Sequence, residues 1–141
     1  MMDIIKVKEE LGYVLEESSC LRRKVGAMIT NGHMIIAASN GAPNPLVCDT
    51  CIRHDKKIPS GTRGEGCKAI HAEQRAIMRG LSIAMNFSSS IMYVTHKPCS
   101  ICARMIIGVG IPKVVYLENY PDEFSEELFE EAGVKLIHLK A

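Results

Sequence analysis

The feature that most constrains this chain is the pairing of His71-Ala72-Glu73 with Pro98-Cys99-Ser100-Ile101-Cys102. One imidazole and two thiolates supply three protein ligands to a zinc ion and leave the fourth tetrahedral corner for water. His71 and Cys99 both fall where helices are predicted to begin. A helix N-terminus carries unpaired N–H groups and a partial positive charge, which favours thiolate over thiol. Cys99 and Cys102 are three residues apart, so a helix presents both on one face of its first turn. Pro98 suits the approach to such a turn, having no N–H to leave unsatisfied. The fold must therefore hold two helix starts against one ion.

The remaining pattern supplies that frame. Ile4, Val7, Leu11, Val14 and Leu15 recur at helical spacing within 3–19 and predict an amphipathic helix. Val25 to Thr30 and Met34 to Ala38 are β-prone runs around Asn31-Gly32-His33, a hairpin signal. A helix runs from beyond Cys67 through Met78 and ends near Gly80. Strands at 91–95, 113–117 and 134–138 alternate with helices at 99–107 and 123–132, the latter closed by Gly133. Two successive strand–helix–strand units imply right-handed crossovers and a parallel portion of sheet. The fold class is α/β: a three-layer α/β/α sandwich on a mixed sheet of about five strands. At 141 residues, one domain over 1–141 is expected. Its unusual part is 40–67, rich in Gly, Pro, Asn, Asp and Ser, and long enough to need an added constraint such as a metal.

Composition narrows the function classes. Hydrophobic residues make up 47% and charged residues 23%, which is ordinary for a soluble globular protein. The formal charge of +1, with no long basic stretch, argues against a partner that is a large nucleic acid. No apolar run approaches the ~20 residues of a membrane span, and Met1-Met2-Asp3 lacks a secretory pattern. A cytoplasmic location is expected, where six cysteines serve as metal ligands or free thiols and not disulfides.

Glu73 decides between chemistry and structure. Zinc with two thiolates and a neutral imidazole has no net charge, so neighbouring groups must help to acidify its water. A carboxylate two residues after the histidine is placed to take that proton and is assigned as a shuttle, not a ligand. The pattern is that of zinc-dependent base deaminases, in which hydroxide attacks C4 of cytosine while the acid protonates N3 and then the departing amine. The same residues also admit a closed structural zinc site, or paired core thiols beside an incidental histidine.

Nearly the whole chain resembles the cytidine deaminase-like superfamily, and within it the deoxycytidylate (dCMP) deaminases. The resemblance is carried by Cys20-Leu-Arg-Arg-Lys-Val-Gly-Ala27, Asn40-Gly-Ala-Pro43, Ile58-Pro-Ser-Gly61, Cys67-Lys-Ala-Ile-His-Ala-Glu-Gln74, Thr95-His-Lys-Pro-Cys-Ser-Ile-Cys102 and Val114-Val-Tyr116. It implies an α/β/α sandwich, hydrolysis of dCMP to dUMP, and homo-oligomers, commonly hexamers. Ala72 and Asn40 fall in matched motifs as substrate contacts, Asn40 holding sugar or base. Ser39 stands where the family often has tyrosine. Tyr120 follows a strand, where related enzymes place an aromatic residue beside the substrate; stacking and packing are both open to it.

Cys20, Cys48, Cys51 and Cys67 remain. Four thiolates form a closed structural zinc site, and Cys48-x-x-Cys51 has knuckle spacing. Related dCMP deaminases carry a second zinc near this position. Such an ion would pin 40–67 and bring Asn40 beside His71. Its charge of −2 would be offset by Arg22, Arg23, Lys24 and Arg53. Cys20 as a buried small hydrophobe, and His54 as a rival ligand, are the alternatives.

Arg22, Arg23 and Lys24 are candidates to grip a phosphate through fork-shaped hydrogen bonds, with Arg63 and Arg104 behind them. A solvated charged face is the competing reading. His96 either lines the mouth of the site or lies on a surface loop; His33 and His138 carry no functional claim. Competing functions are deamination of transfer RNA adenosine or of guanine, and a non-catalytic zinc module. Transfer RNA editing calls for a broad basic surface. A nucleoside cytidine deaminase fits less well, since that branch usually has cysteine where this chain has His71.

Overall fold

A computed structural model of the chain describes residues 1–51, 56, 57, 59 and 67–140. Among these, α1 spans Ile4–Leu15, β1 Gly26–Thr30, β2 Ile35–Ser39, α2 Ala72–Ser82, β3 Ile91–His96, α3 Ser100–Val109, β4 Lys113–Glu118, α4 Glu123–Ala132 and β5 Lys135–His138. The five strands form one mixed sheet in the order β2-β1-β3-β4-β5. β1 is antiparallel to both β2 and β3, whereas β3, β4 and β5 are parallel. The expected α/β architecture is what the chain adopts.

Each helix is delimited by identifiable chemistry. Asp3 caps α1 by accepting from Lys6 N. Gly110 and Gly133 close α3 and α4 at φ of +87° and +73°, a conformation that costs glycine little. α1 stops at Leu15, four residues short of the predicted end. The chain leaves the helix because Ser18 is needed elsewhere: its Oγ donates to the backbone and side chain of Asn40.

The hairpin also differs from the sequence reading. Thr30 pairs with Ile35, so the connection has four residues, one more than the three between the predicted runs. Gly32 has positive φ, and Asn31 uses its Oδ1 to accept from His33 N and Met34 N. Side-chain capping by asparagine substitutes for the left-handed backbone that a tight turn demands.

Two apolar layers flank the sheet. Val7 and Leu11 of α1 pack on Met28, Tyr93 and Val115. On the opposite face, Ala76 and Ile77 of α2, Ala103 and Ile106 of α3 and Phe129 of α4 cover Ile29, Met92, Val94 and Val114. β2, β3 and β4 all run toward one end of the sheet, and β1 starts there. Their carboxyl ends therefore gather Asn40, Lys97 and Tyr120 at one rim, with the segment leading into β1. Open α/β sheets bind ligands at such rims.

The 40–67 segment is closed at its base by an antiparallel bridge between Gly41 and Ile70. Backbone pairing thus joins its two ends. Arg53, His54, Arg63 and the motif residues Ile58, Ser60 and Gly61 lie outside the described residues. Among the described residues, no helix is long and apolar enough to cross a membrane.

Candidate active site

His71 and Cys99 occupy the N-cap positions of α2 and α3, as their spacing predicted. Gln74 Oε1 accepts from His71 N at 2.9 Å, and the imidazole reaches the first turn of α3. Its Nδ1 lies 3.2 Å from Cys102 Sγ and 3.6 Å from Cys99 Sγ. All three donor atoms lie within 4.8 Å of one another. A tetrahedral zinc with usual bond lengths has an N···S edge of about 3.6 Å, so the separations suit one ion. Three donors, with no fourth side chain in the group among the described residues, match an open site.

Cys102 donates to Cys99, which with help from His71 holds the Cys99 thiol at about 4 against the effect of burial. Cys102 is pushed up for the same reason, and burial adds to it. Ligation of both sulfurs would release the Cys102 proton and so link metal uptake to pH.

Glu73 is buried at 5% exposure in the first turn of α2. Burial pushes its carboxyl up to about 7, opposed by a backbone N–H, by His71 and by a hydrogen bond with the Cys102 thiol. The Cys99 charge pushes in the same direction as burial. A carboxyl balanced near neutrality can both accept and give a proton.

One cavity opens onto this cluster. His71, Ala72, Glu73 and Cys99 line it, together with Asn40, Arg22, Arg23, His96, Lys97 and Tyr120. All four predicted substrate contacts, Asn40, Ala72, Arg23 and Tyr120, thus lie on its wall. The Arg23 guanidinium stands 5.6 Å from the centre of the Tyr120 ring. Of the candidate phosphate cations, Arg22 and Arg23 reach this wall. Lys24 and Arg104 are exposed and lie outside it. Glu73 is the one acidic residue among the described lining residues.

Asn40 also has a mechanical task that spacing did not reveal. Its Oδ1 accepts from Ser18 Oγ at 2.6 Å and Val25 N at 2.8 Å, and its Nδ2 donates to Arg23 O at 2.7 Å. The Arg75 guanidinium, from α2, donates to the carbonyls of Ser39, Gly41 and Ala42. The segment carrying Arg22 and Arg23 is therefore tied through Asn40 to the helix carrying Glu73. Gly41 is required here by close approach, since a Cβ would run into Ser19 Oγ.

The second cysteine set is placed differently. All six cysteines are free thiols. Cys20, Cys51 and Cys67 line the same cavity. Among the described residues, however, only His71, Cys99 and Cys102 bring three donor atoms to coordination distance. Cys20, Cys48, Cys51 and Cys67 do not form a gathered ligand set.

Sequence reasoning missed Ser18, Arg75, Lys97, Asp122 and Glu126. Asp122 was legible as a cap, because it precedes a helical run after Pro121. Its second contact, to another helix, has no local signature.

The conserved profile of the cytidine and deoxycytidylate deaminase zinc-binding region matches residues 5–118. The chain belongs to the cytidine and deoxycytidylate deaminase family. Within it, the chain is 30% identical to the deoxycytidylate deaminase of Enterobacteria phage T2, over 89% of this chain and 86% of that one. It is 33% identical to ComE operon protein 2 of Bacillus subtilis, over 71% of this chain and 63% of that protein. Deoxycytidylate deaminase of Schizosaccharomyces pombe is 30% identical over 86% of this chain and 39% of that protein. The chain thus spans less than two-thirds of the length of the last two relatives. A dCMP deaminase from cyanophage S-TIM5, solved in complex with dCMP and dUMP, shares the fold at a TM-score of 0.75 and 23% identity, covering 100% of both chains.

Proposed function

We propose that the chain is a zinc-dependent hydrolase that converts dCMP and water to dUMP and ammonia. The observation that carries this reading is the buried carboxyl of Glu73 beside an open His71/Cys99/Cys102 donor set. The relatives named deoxycytidylate deaminase support the substrate. So does the cavity, in which Arg22 and Arg23 stand with a single acid, as an anionic ligand requires.

His71, Cys99 and Cys102 would hold the zinc, which would supply the Lewis acidity that lets water act as a nucleophile near neutral pH. Glu73 takes the proton of the attacking water and returns it to N3 of the cytosine ring. Once C4 carries the oxygen, the same carboxylate takes the remaining proton of that hydroxyl and gives it to the exocyclic amine, so that the C4=O bond forms as the bond to the amine breaks and ammonia leaves. Arg22 and Arg23 face the phosphate, Asn40 and Ala72 line the sugar and base, and Tyr120 offers its ring to the base. This assignment favours a mononucleotide over transfer RNA adenosine or guanine, and gives Glu73 a use that a non-catalytic zinc module lacks.

The reading extends to a second, structural zinc held by Cys20, Cys48, Cys51 and Cys67. Cys20, Cys51 and Cys67 line one cavity, which supports it, and Cys48 would complete the set. A cytoplasmic homo-oligomer completes the proposal. The deciding assay incubates purified protein with dCMP, deoxycytidine, CMP and adenosine-containing RNA and follows ammonia release. dCMP is turned over fastest; far faster release from another substrate refutes the dCMP assignment.

A further inference from the structure

Cys99 occupies a helix N-cap, where Ser, Thr, Asp or Asn ordinarily satisfies the first amide groups. Its sulfur makes no cap hydrogen bond, being turned toward His71. The first amides of α3 therefore need acceptors from elsewhere. Asp122, the cap of α4, provides one. Its Oδ2 accepts from Ser100 N at 2.7 Å, while its Oδ1 accepts from Ser125 N at 3.2 Å. One carboxylate thus serves two helix starts, one oxygen to each.

A second contact grips the chain on the other side of Cys99. Lys97 is 3% exposed, and its Nζ donates to Glu126 Oε1 at 2.7 Å. Its backbone N donates to Glu118 O at 2.8 Å. Asp122 and Glu126 are one turn apart at the start of α4. They hold Lys97 and Ser100, the residues on either side of the Pro98-Cys99 pair. A CxxC turn that must deliver two thiolates at fixed separation is held from outside by one helix end.

We infer that Asp122 and Glu126 form a clamp that positions Cys99 and Cys102 for the metal. Both are positioning residues: they act through Ser100 N and Lys97 and touch no reacting atom. The inference rests on the metal reading of the His71 cluster. Supporting groups around metal ligands typically alter metal affinity by about 10–100-fold when removed. Asp122 is suited to this role because a carboxylate has an acceptor for each helix, whereas an amide has only one oxygen to divide between them.

The test measures zinc release to a chromophoric chelator from the holoprotein, together with the visible spectrum of the cobalt-substituted form. Asp122→Ala releases zinc about 10–100-fold faster and shifts the cobalt bands; Asp122→Asn falls between it and wild type, and Glu126→Ala has a smaller effect than Asp122→Ala. Val7→Ala, in the apolar layer under α1, serves as a control that lowers thermal stability without changing release. Release from Asp122→Ala within about twofold of wild type, or no faster than from Val7→Ala, overturns the clamp. If Asp122→Ala does not fold, Glu126→Ala is judged by the same criterion. A wild-type protein without a zinc that His71→Ala removes overturns the metal reading and the clamp together. Tight zinc in wild type with unaltered release in the variants overturns the clamp alone.

Discussion

His71 Nδ1 and Cys102 Sγ stand 3.2 Å apart although 31 residues separate them in the chain. The contact exists because α2 and α3 start side by side, each with a ligand at its N-terminal end. His71→Ala and Cys102→Ser each remove one zinc per chain, measured by elemental analysis, and abolish turnover. Cys48→Ser also removes one ion while leaving the first in place. Unchanged stoichiometry in Cys48→Ser eliminates the second zinc but not the first.

Glu73→Gln keeps the shape of the side chain and removes its ability to carry a proton. General acid–base catalysis contributes about 10²–10⁴-fold, so kcat for dCMP falls by that order while zinc content stays at the wild-type level. A variant that retains most of its kcat disproves the shuttle role.

Asn40→Ala removes the acceptor of Val25 N and the donor to Arg23 O, and leaves Ser18 Oγ only the Asn40 backbone carbonyl. A buried donor left unsatisfied costs about 1–3 kcal/mol, so urea denaturation should show a loss of at least that order. Ser18→Ala removes a donor to Asn40 and the acceptor of Cys20 N but leaves the Asn40 bonds to Val25 and Arg23, and costs less. The double variant is less destabilised than the sum of the two, because both act on one network. Strict additivity would show that the Ser18–Asn40 bond contributes nothing.

His96 gives stability a pH dependence. Burial lowers its pKa, with the Arg23 charge acting in the same direction, and Glu118 partly opposes the shift. Thr95 Oγ1 lies 2.9 Å from its Nδ1 and Glu118 Oε2 lies 3.1 Å from its Nε2. Below about pH 6.5 the unfolded chain binds a proton that the folded one resists. Its contribution therefore rises with pH and is complete above about 6.5. His96→Gln flattens that part of the stability profile, measured by denaturant unfolding at a series of pH values. An identical slope in the variant rules His96 out as the source.

Local chemistry was legible wherever a residue's task depends on its neighbours in sequence. The His71 and Cys99 helix starts, Gly133 as a terminator and the alternation of strands with helices follow from periodicity and capping preferences. The hairpin at Asn31-Gly32 was legible, but its loop is one residue longer than read, since the asparagine side chain holds the turn by accepting from His33 N and Met34 N. Asn40 was identified as a cavity residue, but its bonds to Ser18, Arg23 and Val25 join parts of the chain that no spacing rule relates.

Residue types and intervals settled which atoms could ligate a metal, since an imidazole, a CxxC turn and a nearby acid are properties of short stretches. Packing alone decided what holds those atoms in place. Asp122 reaches α3, Arg75 reaches the end of β2, and Lys97 loses its water to Glu126 only after the helices cover the sheet. Burial of Glu73, and with it a carboxyl balanced near neutrality, belongs to the same level. Solvent exclusion is produced by surrounding elements and is not carried by any one segment of sequence.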